Sequence, residues 1–113
     1  MHEMSIAQGL AEIVHEEMEK AGATSLHSVR LAIGEMSAVV PEALAFGFQV
    51  VTAGTRMEGA ELKMETVPLR GRCRDCGLEF TIQNHEFLCP RCNGGGIEIL
   101  SGRELTVLEI LVD

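Results

Sequence analysis

At 113 residues, with 46% hydrophobic and 23% charged side chains, the chain is long enough for one modest core. None of its apolar runs approaches the length of a membrane span. The net charge of −8 is uneven: residues 1–69 carry ten acidic and four basic groups, residues 70–103 four and five, and residues 104–113 three acidic groups alone. An acidic body repels a phosphate backbone, so a general nucleic-acid role is disfavoured, while cations and basic protein partners suit it.

In chain order, Ser5 is placed to cap a helix running to about Ala21, with Ile6, Leu10, Ile13, Val14 and Met18 on one face and Gly22 as its stop. On the opposite side Glu12, His15, Glu16 and Glu19 read as a solvated face rather than a metal site. His27 begins a segment in which Val29, Leu31 and Ile33 alternate with Ser28, Arg30 and Ala32, the pattern of a half-buried strand. Gly34 to Val40 is a connection, and Pro41 then Glu42 open a second helix. That helix carries Leu44, Phe48 and Val51 on one stripe with Phe46 and Val50 beside it, both phenylalanines expected in the core, and closes at Gly54. Leu62 and Met64 alternate with Glu61, Lys63 and Glu65 in a second strand that ends near Pro68. The closing segment, Arg103 to Val112, is nearly continuous in apolar residues and predicts a central strand buried on both faces.

Between these strands lie Cys73-Arg74-Asp75-Cys76 and, twelve residues on, Cys89-Pro90-Arg91-Cys92. A two-residue spacing lets a tight knuckle turn both sulfurs toward one tetrahedral ion, and two such pairs complete a four-thiolate zinc shell. Gly77 and Asn93, directly after each pair, tolerate the left-handed backbone that a knuckle needs. Two disulfides, a redox pair or a rubredoxin-like iron are the alternatives; iron of that kind is usually packed in aromatic rings, and this chain has no Trp or Tyr and four Phe. Four cysteines leave no open position for water, so the zinc is read as structural. Arg72, Arg74 and Arg91 supply positive charge around the anionic site. The apolar content of the insert is thin, so its fold depends on metal. Asn93-Gly94-Gly95-Gly96 lacks the Gly-Lys-Ser/Thr of a phosphate loop and reads as a hinge or linker.

The expected architecture is therefore α+β: two helices on a small three-stranded mixed sheet, with an inserted zinc-ribbon-like four-cysteine module. Residues 1–69 plus 101–113 form the discontinuous body, and residues 70–100 form the insert. No Ser/His/Asp order, phosphate loop or open metal shell points to an enzyme. The first residues, Met1-His2-Glu3-Met4, lack the basic flank and apolar stretch of a secretory signal, and all four cysteines belong to the metal motif. A cytoplasmic protein is expected.

His2 is the remaining residue of interest. A free terminal amine, the His2 amide nitrogen and an imidazole nitrogen can occupy three nearly coplanar positions around Ni(II) or Cu(II), and Glu3 can orient the ring or add an oxygen. A histidine near a terminus is also commonly just mobile, and on these residues alone both readings stand.

Taken together, Met1-His2-Glu3 opening an amphipathic helix, Gly34-Glu35-Met36-Ser37 leading into Pro41-Glu42-Ala43-Leu44-Ala45-Phe46-Gly47-Phe48, then Gly54-Thr55, Glu58-Gly59-Ala60-Glu61-Leu62 and the two cysteine pairs resemble the HypA/HybF family of hydrogenase maturation proteins over essentially the whole length. The resemblance implies a nickel metallochaperone in which His2 is the principal nickel ligand, helped by backbone nitrogens of the terminus and by Glu3. It implies that Cys73, Cys76, Cys89 and Cys92 hold structural zinc. The implied partners are a HypB-type GTPase and the large subunit of a [NiFe]-hydrogenase, with no nucleic acid and no membrane, in a monomer or homodimer. The competing function is a zinc-ribbon module that binds protein or RNA, in which His2 has no role.

Overall fold

In the computed structural model, which describes residues 3–113, helix α1 runs over Glu3–Ala21. Ala7, Leu10, Ala11, Val14 and Met18 are buried along one stripe, as the helical period requires. The helix begins before Ser5, which therefore lies inside the first turns rather than at the cap. Glu3 supplies the acidic group that the positive end of the helix dipole favours. At the other end Ala23 N–H reaches back to the Met18 carbonyl at 2.9 Å and closes the last turn. The exposed side matches its solvated reading: Glu12, His15, Glu16 and Glu19 all face solvent, and Arg56 pairs with Glu19.

Helix α2 (Pro41–Thr52) starts at its proline, as expected, with Glu42 in the first turn. Its core-facing stripe is Leu44, Phe48 and Thr52, and the Thr52 hydroxyl donates to the Phe48 carbonyl at 2.7 Å, so no buried polar group is left open there. Phe48 is 1% exposed, but Phe46 is 65% exposed and not in the core. The two residues are two positions apart, about 200° around a helix, so one cannot join the core without turning the other out.

Strands β1 (Leu26–Gly34), β2 (Glu61–Val67) and β6 (Leu105–Val112) form a mixed sheet in the order β2-β1-β6. β1 and β6 run antiparallel: Gly34 N–H donates to Glu104 O, and Asp113 N–H to Ser25 O. β1 and β2 are linked through α2, the long crossover that parallel neighbours require. The order reverses two expectations. β1 is the central strand, with every residue except His27 and Arg30 buried, and β6 is an edge strand whose Leu105, Leu108 and Leu111 are each nearly half exposed. Small Ser28 and Ala32 flank Arg30 on the second face of β1, and the Arg30 guanidinium spans that face to Glu65 (2.7 Å) and Glu109 (3.6 Å). Alternation in β1 thus separates large apolar from small residues, not core from solvent.

A second, antiparallel sheet has the order β4-β3-β5, from β4 (Glu79–Thr81), β3 (Arg70–Cys73) and β5 (Ile97–Ser101), with Gly71 opposite both Phe80 and Ile99.

The chain divides into two compact units. One comprises the residues up to Leu31, Val39–Glu65 and Thr106–Asp113, and it contains both helices. Its core is α1 and α2 packed with Leu26, Val29, Leu31 and Met57. The other comprises Ala32–Ala38 and Thr66–Leu105, taking in the turn after β1 as well as the cysteine motif. That turn is held by Glu35 N–H to Val67 O (2.9 Å) and Met36 N–H to Gly102 O (2.7 Å). Gly34 lies so close to Gly102 that a Cβ there would fall 2.2 Å from its carbonyl carbon.

Candidate metal centre

Cys73 ends β3, and the chain turns straight back: Gly77 N–H bonds to Cys73 O at 2.8 Å and Cys73 N–H to Leu78 O at 2.9 Å. The second pair repeats the pattern, with Asn93 N–H to Cys89 O at 2.8 Å and Cys89 N–H to Gly94 O at 2.9 Å. Gly77 and Asn93 have φ of 79° and 64°, the left-handed positions expected of them from sequence. The two knuckles are thus built alike, and each presents its two sulfurs on one side.

The four ligand sulfurs lie within 4.8 Å of one another, with Cys73 to Cys92 and Cys76 to Cys89 both at 3.5 Å. Those separations are far beyond the ~2.05 Å of a disulfide. They bracket the roughly 3.8 Å between sulfurs that sit tetrahedrally ~2.3 Å from zinc. Backbone N–H groups of Arg91 (3.4 Å) and Cys92 (3.5 Å) point at the Cys89 sulfur, the arrangement that suits a thiolate. The donor set therefore fits zinc, which would be held by Cys73, Cys76, Cys89 and Cys92 and would supply a cross-link between the knuckles. Among the described residues, these cysteines form the one group of three or more possible ligands close enough to share an ion.

As thiols Cys76 and Cys92 are shifted in opposite directions. The backbone at Leu78 and the Arg91 side chain bring Cys76 down to about 6. Cys92 has the Gly94 backbone favouring its thiolate, yet the Cys73 sulfur, burial and the other two cysteines push it up to about 12. Metal must displace the protons of such a set, so zinc affinity falls as pH falls.

Of the three arginines expected around the site, Arg91 is tied to it: its Nη2 donates to Cys76 O at 2.9 Å, and the neighbouring Cys76 raises its pKa. Arg72 instead bridges strands, bonding Glu79 at 2.9 Å and Glu98 at 3.4 Å. It points along a different row of β3 from Cys73, one residue on, because neighbours in a strand face opposite ways. The Asn93–Gly96 stretch is no hinge either. Gly94 and Gly96 carbonyls accept from Cys89 and Arg74, and a Cβ on Gly94 would stand 2.7 Å from the Asp75 carboxylate.

His2, the expected nickel ligand, lies outside the described residues. Glu3 is placed: its Oε2 accepts the Val40 N–H at 3.2 Å, tying the start of α1 to the residue that precedes α2. No sequence signal marked Val40 as its partner, since nothing in a Val-Val-Pro stretch announces a donor to a carboxylate 37 residues away.

A family model described as "Hydrogenase/urease nickel incorporation, metallochaperone, hypA" matches residues 1–112. A hydrogenase maturation factor HypA of Geotalea uraniireducens is 44% identical over 113 residues, covering all of both chains. One from Streptomyces avermitilis is 43% identical over 97% of this chain and 86% of its own. The solution structure of the nickel metallochaperone HypA from Helicobacter pylori superposes with a TM-score of 0.71 at 23% identity, covering 99% of this chain and 97% of that one, and so supports the fold. With the four-cysteine centre, the mixed sheet and a match from the first residue to the last but one, the chain belongs to the HypA family of nickel-incorporation metallochaperones for hydrogenase maturation.

Proposed function

We propose that the chain binds Ni(II) at its N-terminus and delivers it to the large subunit of a [NiFe]-hydrogenase, with zinc at the four cysteines as a structural ion. The observation that carries the reading is the full-length family match on a chain whose second residue is histidine. In this reading the terminal amine, backbone nitrogens and the His2 imidazole hold the nickel, and Glu3, anchored at Val40, orients the terminus or adds an oxygen. Residues 1–69 with 101–113 carry the nickel role and residues 70–100 the zinc role. The chain acts as a carrier and not a catalyst, in the cytoplasm, with a HypB-type GTPase as a second partner.

A carrier must capture its cargo and still release it. A terminal site with backbone ligands suits that better than a closed cage of side chains, because its ligands exchange one at a time. Those nitrogens must lack protons to bind, so nickel affinity falls as pH drops.

The test is calorimetric titration of nickel into untagged protein with its native terminus, beside His2→Ala, with zinc counted by elemental analysis. The expected result is one nickel site in the wild type, none in the variant, and one zinc in both. Equal nickel affinity in the two proteins would refute the assignment.

A further inference from the structure

The four cysteines offer the same donor atom but differ in access. Cys73 and Cys89 are buried, Cys76 is half-buried and Cys92 is exposed. The residues after Cys92 explain why. A Cβ on Gly94 would stand 3.3 Å from the Cys92 sulfur, so the residue placed to cover that sulfur has no side chain, and two more glycines follow it. With zinc bound all four sulfurs are thiolates, so access decides which of them a reagent from solution meets first. A second asymmetry concerns the neighbours. The Cys92 sulfur lies 3.5 Å from that of Cys73, across the gap between the knuckles. Its partner within the knuckle, Cys89, is the poorer nucleophile, because the N–H groups of Arg91 and Cys92 point at its sulfur (3.4 and 3.5 Å) and draw on its lone pairs.

We propose that Cys92 is a modification site for hydroperoxides in the zinc-loaded protein, and that Cys73 resolves the product into a Cys73–Cys92 disulfide that expels the zinc. The inference rests on the structural-zinc reading of the four cysteines. In the first step Cys92 Sγ attacks a peroxide oxygen. An S–O bond forms, the O–O bond breaks, hydroxide leaves, and the sulfur is oxidised by two electrons to a sulfenic acid. Cys73 Sγ then attacks Cys92 Sγ: the S–S bond forms, the S–O bond breaks and a second hydroxide leaves. Two thiolates and one peroxide thus give one disulfide and two hydroxides. A disulfide sulfur is a poor donor, so two of the four ligands are lost together, and Cys76 and Cys89 alone do not complete a shell. The disulfide is open to thiol reductants, which makes the loss of zinc reversible.

The experiment treats the zinc-loaded full chain, its zinc counted by elemental analysis, with limiting hydrogen peroxide. Released zinc is followed with a chromogenic chelator, dimedone traps sulfenic acid in a parallel sample, and non-reducing peptide mapping locates the cross-link. Trypsin cleavage after Arg72, Arg74 and Arg91 puts Cys73 and Cys92 on separate peptides, so their disulfide is read directly. The expected result is dimedone on Cys92 and a Cys73–Cys92 link that grows in step with free zinc, one ion per disulfide. Iodoacetamide should alkylate Cys92 at least about tenfold faster than Cys73 or Cys89 while zinc is bound. Dimedone on another cysteine, a disulfide within either knuckle, or zinc that stays bound as Cys92 is oxidised would overturn the proposal. A chain that carries no zinc before peroxide is added refutes the structural-zinc reading itself, so the elemental count separates the two failures.

Discussion

Gly77 and Asn93 illustrate how much a single position can reveal. Each follows a Cys-x-x-Cys pair and each adopts positive φ, so the chemistry of the residue announced the turn before any coordinates did. At Gly77 the space around an added Cβ is empty within 4 Å, which leaves backbone strain as the only cost of a side chain. Gly77→Ala is expected to weaken zinc by about 1–2 kcal/mol, the penalty of a left-handed L-residue, or roughly five- to thirty-fold in affinity. Asn93→Gly should leave it unchanged. Competition titrations against a zinc chelator measure both, and equal losses in the two variants would contradict the conformational account. The Arg91 bond to Cys76 and the Glu3 bond to Val40 were not legible, because both depend on which backbone groups the folded chain happens to leave nearby.

Elements were legible where a period was long and clean. α2 and β2 lie where the sequence pattern placed them, within about two residues at their ends, while α1 ends as expected but starts three residues before the position its Ser5 cap implied. What failed was rank within an element or sheet. The near-continuous apolar run of β6 signalled burial on both faces, but the strand stands at the edge; β1, with its polar and small residues, is the one enclosed. Hydrophobicity reports what a residue would prefer, whereas sheet order is decided by the crossover through α2 and by which strands find partners. Phe46 failed for the same reason: a helix has one core-facing stripe, and Phe48 occupies it. The contrast is measurable by urea denaturation. Phe48→Ala should cost about 3–5 kcal/mol, as for other buried aromatic truncations. Phe46→Ala should stay within about 0.5 kcal/mol, as an exposed change does. A large loss at Phe46 would mean the side chain is covered in the free protein.

At the scale of the molecule, the two units differ in what sustains them. The unit with both helices buries Leu10, Val14, Met18, Leu44 and Phe48, each contributing about 1.5–3 kcal/mol. The other has Leu69, Ile82 and two cysteines as its most buried side chains, so a metal held by the four cysteines would stand in for a core there. Removing zinc with a strong chelator should therefore strip amide-exchange protection from residues 66–105 while α1 and α2 keep theirs. Uniform protection after chelation would show that the second unit folds without metal. Cysteine spacing made the grouping of the four sulfurs readable from the start. The inclusion of the turn at Ala32–Ala38 in the metal unit was not, since it follows from the Gly34–Gly102 approach rather than from any local pattern.

The leucines along β6 carry a consequence for how these molecules behave in a crowd. An edge strand with Leu105, Leu108 and Leu111 partly bare is a template onto which another extended chain can zip. The strand offers no proline or lysine to block it; what stands guard is charge, with Glu109 within the strand, Glu104 and Asp113 at its ends and −8 over the whole chain. Mutual repulsion of that kind is a long-range defence that counterions dissolve, since its reach shrinks from about 30 Å at 0.01 M salt to about 3 Å at 1 M. Colloidal stability in this protein is thus expected to rest on charge, with association along this strand rising as salt is added.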